Sequence, residues 1–122
     1  YGGEDTDLSI RIWEKYPNQF VYSKKSSSTH FQRRTLEEFC NQMKAYGENN
    51  FLLLSERYPN YSVELGTDLI NSFKGILIFN PIIKTIIKLI YLIFPFQIVI
   101  RYMVIDSVIC GARSSSKIKT DK

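Results

Sequence analysis

Apolar and polar positions divide this chain into a patterned first half and an almost continuously apolar second half. Over residues 5 to 15, Leu8, Ile12 and the adjacent Trp13 return at helical spacing, and acidic residues crowd the first turn, where the helix dipole favours them. The spacing predicts a short helix ended by Pro17 and Asn18. Phe20, Val21 and Tyr22, within Gln19 to Ser23, predict a strand, and the polar stretch Lys24 to Thr29 leads from it to His30. A second helix is expected to begin at Thr35, because Thr35-Leu36-Glu37-Glu38 has the spacing of a capping box, in which each side chain satisfies an orphan backbone donor. Phe39, Met43 and Tyr46 form its apolar stripe. Gly47 to Asn50 either interrupts this helix or is tolerated inside it, and Phe51 to Leu54 resumes the apolar pattern.

Tyr58-Pro59-Asn60 punctuates the chain, and residues 61–68 read as a linker between a first unit, 1–60, and an apolar unit, 69–112. Within the latter, Asn80-Pro81 starts a helix, with Asn as cap and Pro in the first turn, where its missing donor costs nothing. The longest stretch free of charge, Leu89 to Ile100, is twelve residues and contains Pro95 and Gln97, whereas a bilayer span needs about 20 apolar residues. Extending back to Ile82 gives nineteen residues but includes Lys84 and Lys88, four apart on one helix face and able to snorkel towards headgroups. An interfacial or re-entrant helical pair is the first expectation and a true span the second. The alternative without a membrane is a core helix of a soluble domain, since a helix apolar all round is also a buried element. Residues 113–122 read as a basic polar tail.

Composition narrows the class. The 122 residues are 44% hydrophobic, which excludes a disordered tail and a complete large enzyme. The net charge of +4 is unevenly placed: residues 1–63 carry eight Lys or Arg against eight Asp or Glu, and residues 64–122 carry eight against four. Basic residues scattered through Ile, Leu and Phe suit an anionic lipid surface, whereas a nucleic-acid reader clusters them on a polar face. Cys40 and Cys110 lie far apart with no Cys-x-x-Cys or His-rich companion, which argues against a disulfide framework and a zinc ribbon. The opening Tyr1-Gly2-Gly3, without an initiator Met or a signal-peptide pattern, reads as the start of a C-terminal fragment.

Four features of the first half bear on chemistry. Taken singly, Glu4 and Asp5 at a helix start read as cap or dipole partners, the lone His30 as structural, and Arg33-Arg34 as a solvated, acidic-partner or lipid-headgroup contact before a phosphate clamp, although guanidinium geometry suits pyrophosphate oxygens. Arg11 is placed for a salt bridge with Asp7, four residues earlier on the same face. Taken together, Gly3-Glu4-Asp5-Thr6-Asp7-Leu8-Ser9-Ile10-Arg11, then His30-Phe31-Gln32-Arg33-Arg34-Thr35, then Gln42-x-x-x-Tyr46-Gly47, the order resembles the C-terminal part of glycosyltransferase family 2 over residues 2 to 54.

The resemblance implies an α/β parent of the GT-A, Rossmann-like fold, of which this segment is mainly α with one or two short strands and a membrane-associated helical tail. It implies that Asp5, the Asp of the E-D-x-D-L-x-x-R run, is the general base of an inverting transfer, with Glu4 beside it as a catalytic carboxylate. It further implies that Asp7, Arg33 and Arg34 contact the acceptor or phosphates, and that His30 approaches a divalent metal (Mn²⁺ or Mg²⁺) or the donor pyrophosphate. The chemistry suits these residue types: a carboxylate accepts the acceptor's proton as the glycosidic bond forms, and cations stabilise the departing nucleoside diphosphate. The family's nucleotide-binding half and Asp-x-Asp metal motif precede the Glu-Asp pair, so the metal is expected to be bound mostly there and the segment alone to be inactive. The Q-x-x-R-W motif of processive members is also missing, since the sole Trp is Trp13. A single-addition transferase is therefore expected rather than a polymerising synthase.

The expectation is thus a membrane-associated inverting transferase at the cytoplasmic face of the cytoplasmic membrane, moving sugar from a nucleotide-sugar donor to a lipid-linked or polysaccharide-precursor acceptor of the cell envelope. The basic end, Arg113, Lys117, Lys119 and Lys122, belongs on the cytoplasmic side. The rival from another class is a non-enzymatic membrane-binding or interaction module, which the composition supports equally.

Overall fold

The computed structural model of the chain describes residues 2–19, 21, 23, 25 and 34–120. Helix α1 spans Glu4–Lys15, and α2 spans Leu36–Tyr46. A π turn, Gly47–Phe51, continues α2 without a break into α3, Leu52–Arg57. Short turns follow at Pro59–Tyr61, α4 (Ser62–Leu65) and Thr67–Leu69. Then come α5 (Phe73–Ile78), α6 (Pro81–Ile93) and α7 (Gln97–Thr120).

The mainly helical expectation holds, and the strand expectation does not: no described residue is in a strand. Val21 stands 90% exposed, Phe20 and Tyr22 lie outside the described residues, and among the described residues there is no sheet edge for such a segment to join. Nothing described resembles the layered α/β architecture implied for the parent.

Local chemistry sets the helix starts. The capping box forms, with Thr35 Oγ1 accepting from the Glu38 backbone N–H at 3.2 Å and Glu38 Oε2 accepting from the Thr35 N–H at 2.8 Å. Asn80 Oδ1 accepts from the N–H groups of Ile82 (2.9 Å) and Ile83 (3.0 Å) ahead of the first turn of α6, where Pro81 sits. Gly47 to Asn50 is tolerated as the π turn. Gly47, Phe51, Leu54 and Tyr58 are all buried, so the wider turn keeps one apolar stripe running along the rod 36–57.

Packing centres on the crossing of that rod with α7. A Cβ on Gly47 would lie 2.1 Å from the Val108 carbonyl oxygen, and one on Gly111 would lie 2.1 Å from that of Lys44, so the two backbones are in direct contact. Phe51, Ile70 and Ala112 form one buried cluster around the crossing, and Ile10, Leu54 and Tyr58 form a second. Tyr46 packs against both. Residues 61–68, expected to be a linker, are mostly helical turns, and Tyr61 and Leu65 pack on the second cluster. The expected polar tail is likewise partly structural. Arg113 donates from Nε to the Ile70 carbonyl and from Nη1 to the Phe79 carbonyl, both at 2.7 Å, and the helix continues to Thr120.

The second half differs most from the sequence expectation at Lys84. Instead of snorkelling, it turns inward and pairs with the buried Asp106 (Nζ to Oδ2, 2.6 Å). Burial pulls the Lys84 ammonium pKa down, but the hydrogen bond and charge of Asp106 outweigh this and leave it raised. Elsewhere most apolar side chains of α5, α6 and the 94–96 connection face outward, as does Ile98 at the start of α7; Ile82, Leu92 and Ile98 are each more than 70% exposed. Among the described residues, no helix is long and apolar enough to cross a membrane.

Candidate functional site

The acidic run at the start of α1 is held in place from both ends. Gly2 and Gly3 have φ of +96° and +95°, a region that side-chain-bearing residues avoid. A Cβ on Gly3 would also lie 2.8 Å from Leu54 Cδ1 and 2.9 Å from Tyr46 Cε2, so the paired glycines satisfy both a backbone bend and a close approach. Asn50, in the π turn, donates from Nδ2 to the Gly2 carbonyl at 2.7 Å. The Gly3 carbonyl accepts from the Asp7 N–H at 2.9 Å and launches the helix.

Asp7 fixes the run from below. Its Oδ2 meets Arg11 Nε at 3.0 Å, the ion pair expected from the spacing. Its Oδ1 accepts from Arg57 Nη1 at 2.8 Å and from the Tyr58 hydroxyl at 2.7 Å. The Tyr58 hydrogen bond holds the carboxyl below its ordinary range; partial burial opposes this, and Arg57 and Arg11 add to the lowering. In return, donation to Asp7, assisted by burial, raises the Tyr58 phenol pKa. With both oxygens engaged, Asp7 acts as an anchor between α1 and α3.

Glu4 and Asp5, by contrast, are exposed on the first turn. Glu4 borders a shallow open cleft of ≈ 540 Å³ whose other walls include Asn50, Leu53 and Arg57. Burial raises the Tyr46 phenol pKa, and the Glu4 charge adds to it. The cleft thus receives the Glu4 carboxylate, a group able to take a proton from a hydroxylated ligand, and the Arg57 guanidinium, already hydrogen-bonded to Asp7, whereas Asp5 is not among the residues that line it. The structure thereby joins two of the three sequence runs, because Tyr46 of the Gln42-x-x-x-Tyr46-Gly47 run packs on Gly2 and Gly3.

The third run is only partly visible. Arg34 is exposed and hydrogen-bonded to Gln42, and it is not among the residues lining the cleft. His30 and Arg33 lie outside the described residues. Among the described residues, no three of His, Cys, Asp and Glu converge as a metal site, so the implied Mn²⁺ or Mg²⁺ finds no ligand set there. Asn50, Arg57 and Tyr58 escaped the sequence reading. They lie about fifty residues from the turn they hold, and no local spacing rule reaches that far. The chain matches no family model, no curated protein and no solved structure.

Proposed function

We propose that this chain carries the acceptor side of an inverting, membrane-associated glycosyltransferase of the family 2 type. Asp5 accepts the proton of an acceptor hydroxyl as that oxygen attacks the anomeric carbon of a nucleotide sugar. The bond to the nucleoside diphosphate breaks with its electron pair on the leaving phosphate. Glu4, on the same turn, orients the acceptor at the mouth of the cleft, and Arg34 with His30 and Arg33 serves the phosphates. The donor nucleotide and its divalent cation are held mainly by other residues of the encoded polypeptide. The acceptor is lipid-linked or an envelope-polysaccharide precursor, met at the cytoplasmic membrane face.

The observation that carries this reading is the exposed Glu4-Asp5 pair on a turn whose glycines, Asp7 and Arg11 are each fixed by a contact of their own. A plain helix start needs no such fixation. The test is nucleoside diphosphate release by the encoded polypeptide in membranes, with a panel of nucleotide sugars, Mn²⁺ or Mg²⁺ and endogenous acceptor. Asp5→Asn keeps the shape and removes the base, and release is expected to fall by about 10²- to 10⁴-fold. Glu14→Gln, an exposed carboxylate near the far end of α1, leaves it unchanged. No release with any donor, or equal activity of the Asn variant, reduces Asp5 to a dipole partner. The non-enzymatic membrane module, favoured by the exposed apolar faces of α5 to α7, then takes precedence.

A further inference from the structure

The groove between α2, α6 and α7 has a chemistry that the transferase reading does not use. It encloses ≈ 440 Å³ with an apolar floor that includes Leu36, Tyr91, Leu92 and Met103, and Lys44, Lys84 and Lys88 reach into it. At its inner end the Lys84–Asp106 pair and Cys110 are shared with a second cavity of ≈ 270 Å³, which Arg113 also lines. The two cavities together are bordered by four cations, Lys44, Lys84, Lys88 and Arg113, against two carboxylates, Glu37 and Asp106.

Those charges are not all satisfied. Lys84 and Asp106 neutralise each other, and Lys44 is held only loosely by Glu48 at 3.7 Å. Lys88 makes no ion pair among the described residues, and Nη2 of Arg113 is buried without a hydrogen-bond partner. The surroundings extend the same bias. From residue 69 to residue 120 the only carboxylate is Asp106, and it is buried. The exposed charges Lys74, Lys88 and Arg101 form no ion pair among the described residues and stand in stretches of outward-facing Ile, Leu and Phe. Leu92 borders the groove and is itself 78% exposed, next to Ile93 at 69%, so the groove floor runs out onto the apolar surface. A cationic slot opening onto an apolar face complements one molecule with an anionic head and an apolar tail.

We propose that this groove seats the phosphodiester headgroup of an anionic phospholipid, with Lys88 and Lys44 on the phosphate and the acyl chains along the exposed face of α6. The proposal rests on the membrane half of the functional reading and is independent of the transferase half.

The test uses the full chain with vesicles of phosphatidylcholine alone or of equimolar phosphatidylcholine and phosphatidylglycerol, and two readouts. The first is sedimentation with the vesicles. The second is the rate at which an aqueous maleimide labels Cys40 and Cys110, both free, half-buried and in the groove wall. The phosphatidylglycerol vesicles are expected to bind the chain and to slow labelling at both thiols. Lys44→Gln with Lys88→Gln should weaken partition by about five-fold per lysine and abolish the protection. Lys88→Arg should keep both, and Lys74→Gln, on α5 away from the groove, should weaken partition but keep the protection. Circular dichroism confirms that each variant is folded. Vesicle binding with both thiols unprotected overturns the groove as the headgroup seat. Protection by inorganic phosphate alone, equal to that by vesicles, overturns the lipid in favour of a free anion. Absence of partition to either vesicle overturns the membrane reading itself and leaves the Asp5 test untouched.

Discussion

Asp7 shows how much one side chain can carry. It receives a tyrosine hydroxyl and two guanidinium groups, and its pKa is depressed in the folded chain. A depressed carboxyl contributes stability that is fully present above its unfolded value and is lost as pH falls through its folded value. The attachment of α1 to α3 should therefore hold above pH about 4 and loosen progressively below it. Amide hydrogen exchange in α1, followed as the pH is lowered, should show this loosening. Asp7→Asn should flatten that acid dependence, and Tyr58→Phe, which removes the strongest lowering contact, should move it to higher pH. The Asp7–Arg11 half of the cluster is legible in the sequence because four-residue spacing on a helix fixes a distance. The Arg57 and Tyr58 half is not, because their approach depends on how the rod 36–57 lies across α1.

Elements are where local rules succeed at the ends and fail in the middle. The caps at Thr35 and Asn80 involve groups within three residues of each other, so the sequence alone suffices to place them. The π turn and the glycine crossing depend on what lies opposite. Gly111→Ala should drive Cβ into the Lys44 carbonyl and cost about 3 kcal/mol in a denaturant melt, the scale of an overpacked core. Lys84 reads from the sequence as a snorkelling cation, but its partner Asp106 is on another helix, twenty-two residues along, and spacing on α6 cannot reveal it. The two members of that pair should respond unequally. Lys84→Met leaves the buried Asp106 without a counter-charge and should cost about 3 kcal/mol. Asp106→Asn leaves an ammonium with 37% of its side chain exposed, which water can solvate, and should cost nearer 1 kcal/mol.

Over the whole molecule the core is thin. Only eight apolar residues are buried among those described, against twenty-one large apolar residues left exposed, so the outward faces of α5 and α6 add little to the fold of the chain by itself. Ile82→Gln and Leu92→Gln should therefore change unfolding free energy by no more than about 0.5 kcal/mol, while raising solubility and lowering vesicle partition. The sequence showed that this half is apolar and basic. It did not show that Tyr61 and Leu65 pack on the Ile10 cluster or that Arg113 ties α7 to Ile70 and Phe79, because these contacts include groups distant in sequence. The halves are joined where α7 crosses the rod. Helix α7 begins at Gln97 beside the exposed Phe94 and Phe96, crosses the rod at Gly111, and runs on to Thr120. One uninterrupted helix thus works as a ruler and an axle between the exposed apolar end and the helix rod on which the Glu4-Asp5 turn packs. Inserting a single residue between Arg101 and Asp106 would swing one end about 100° around the other, turning the apolar face away from any surface the acidic turn was set to meet.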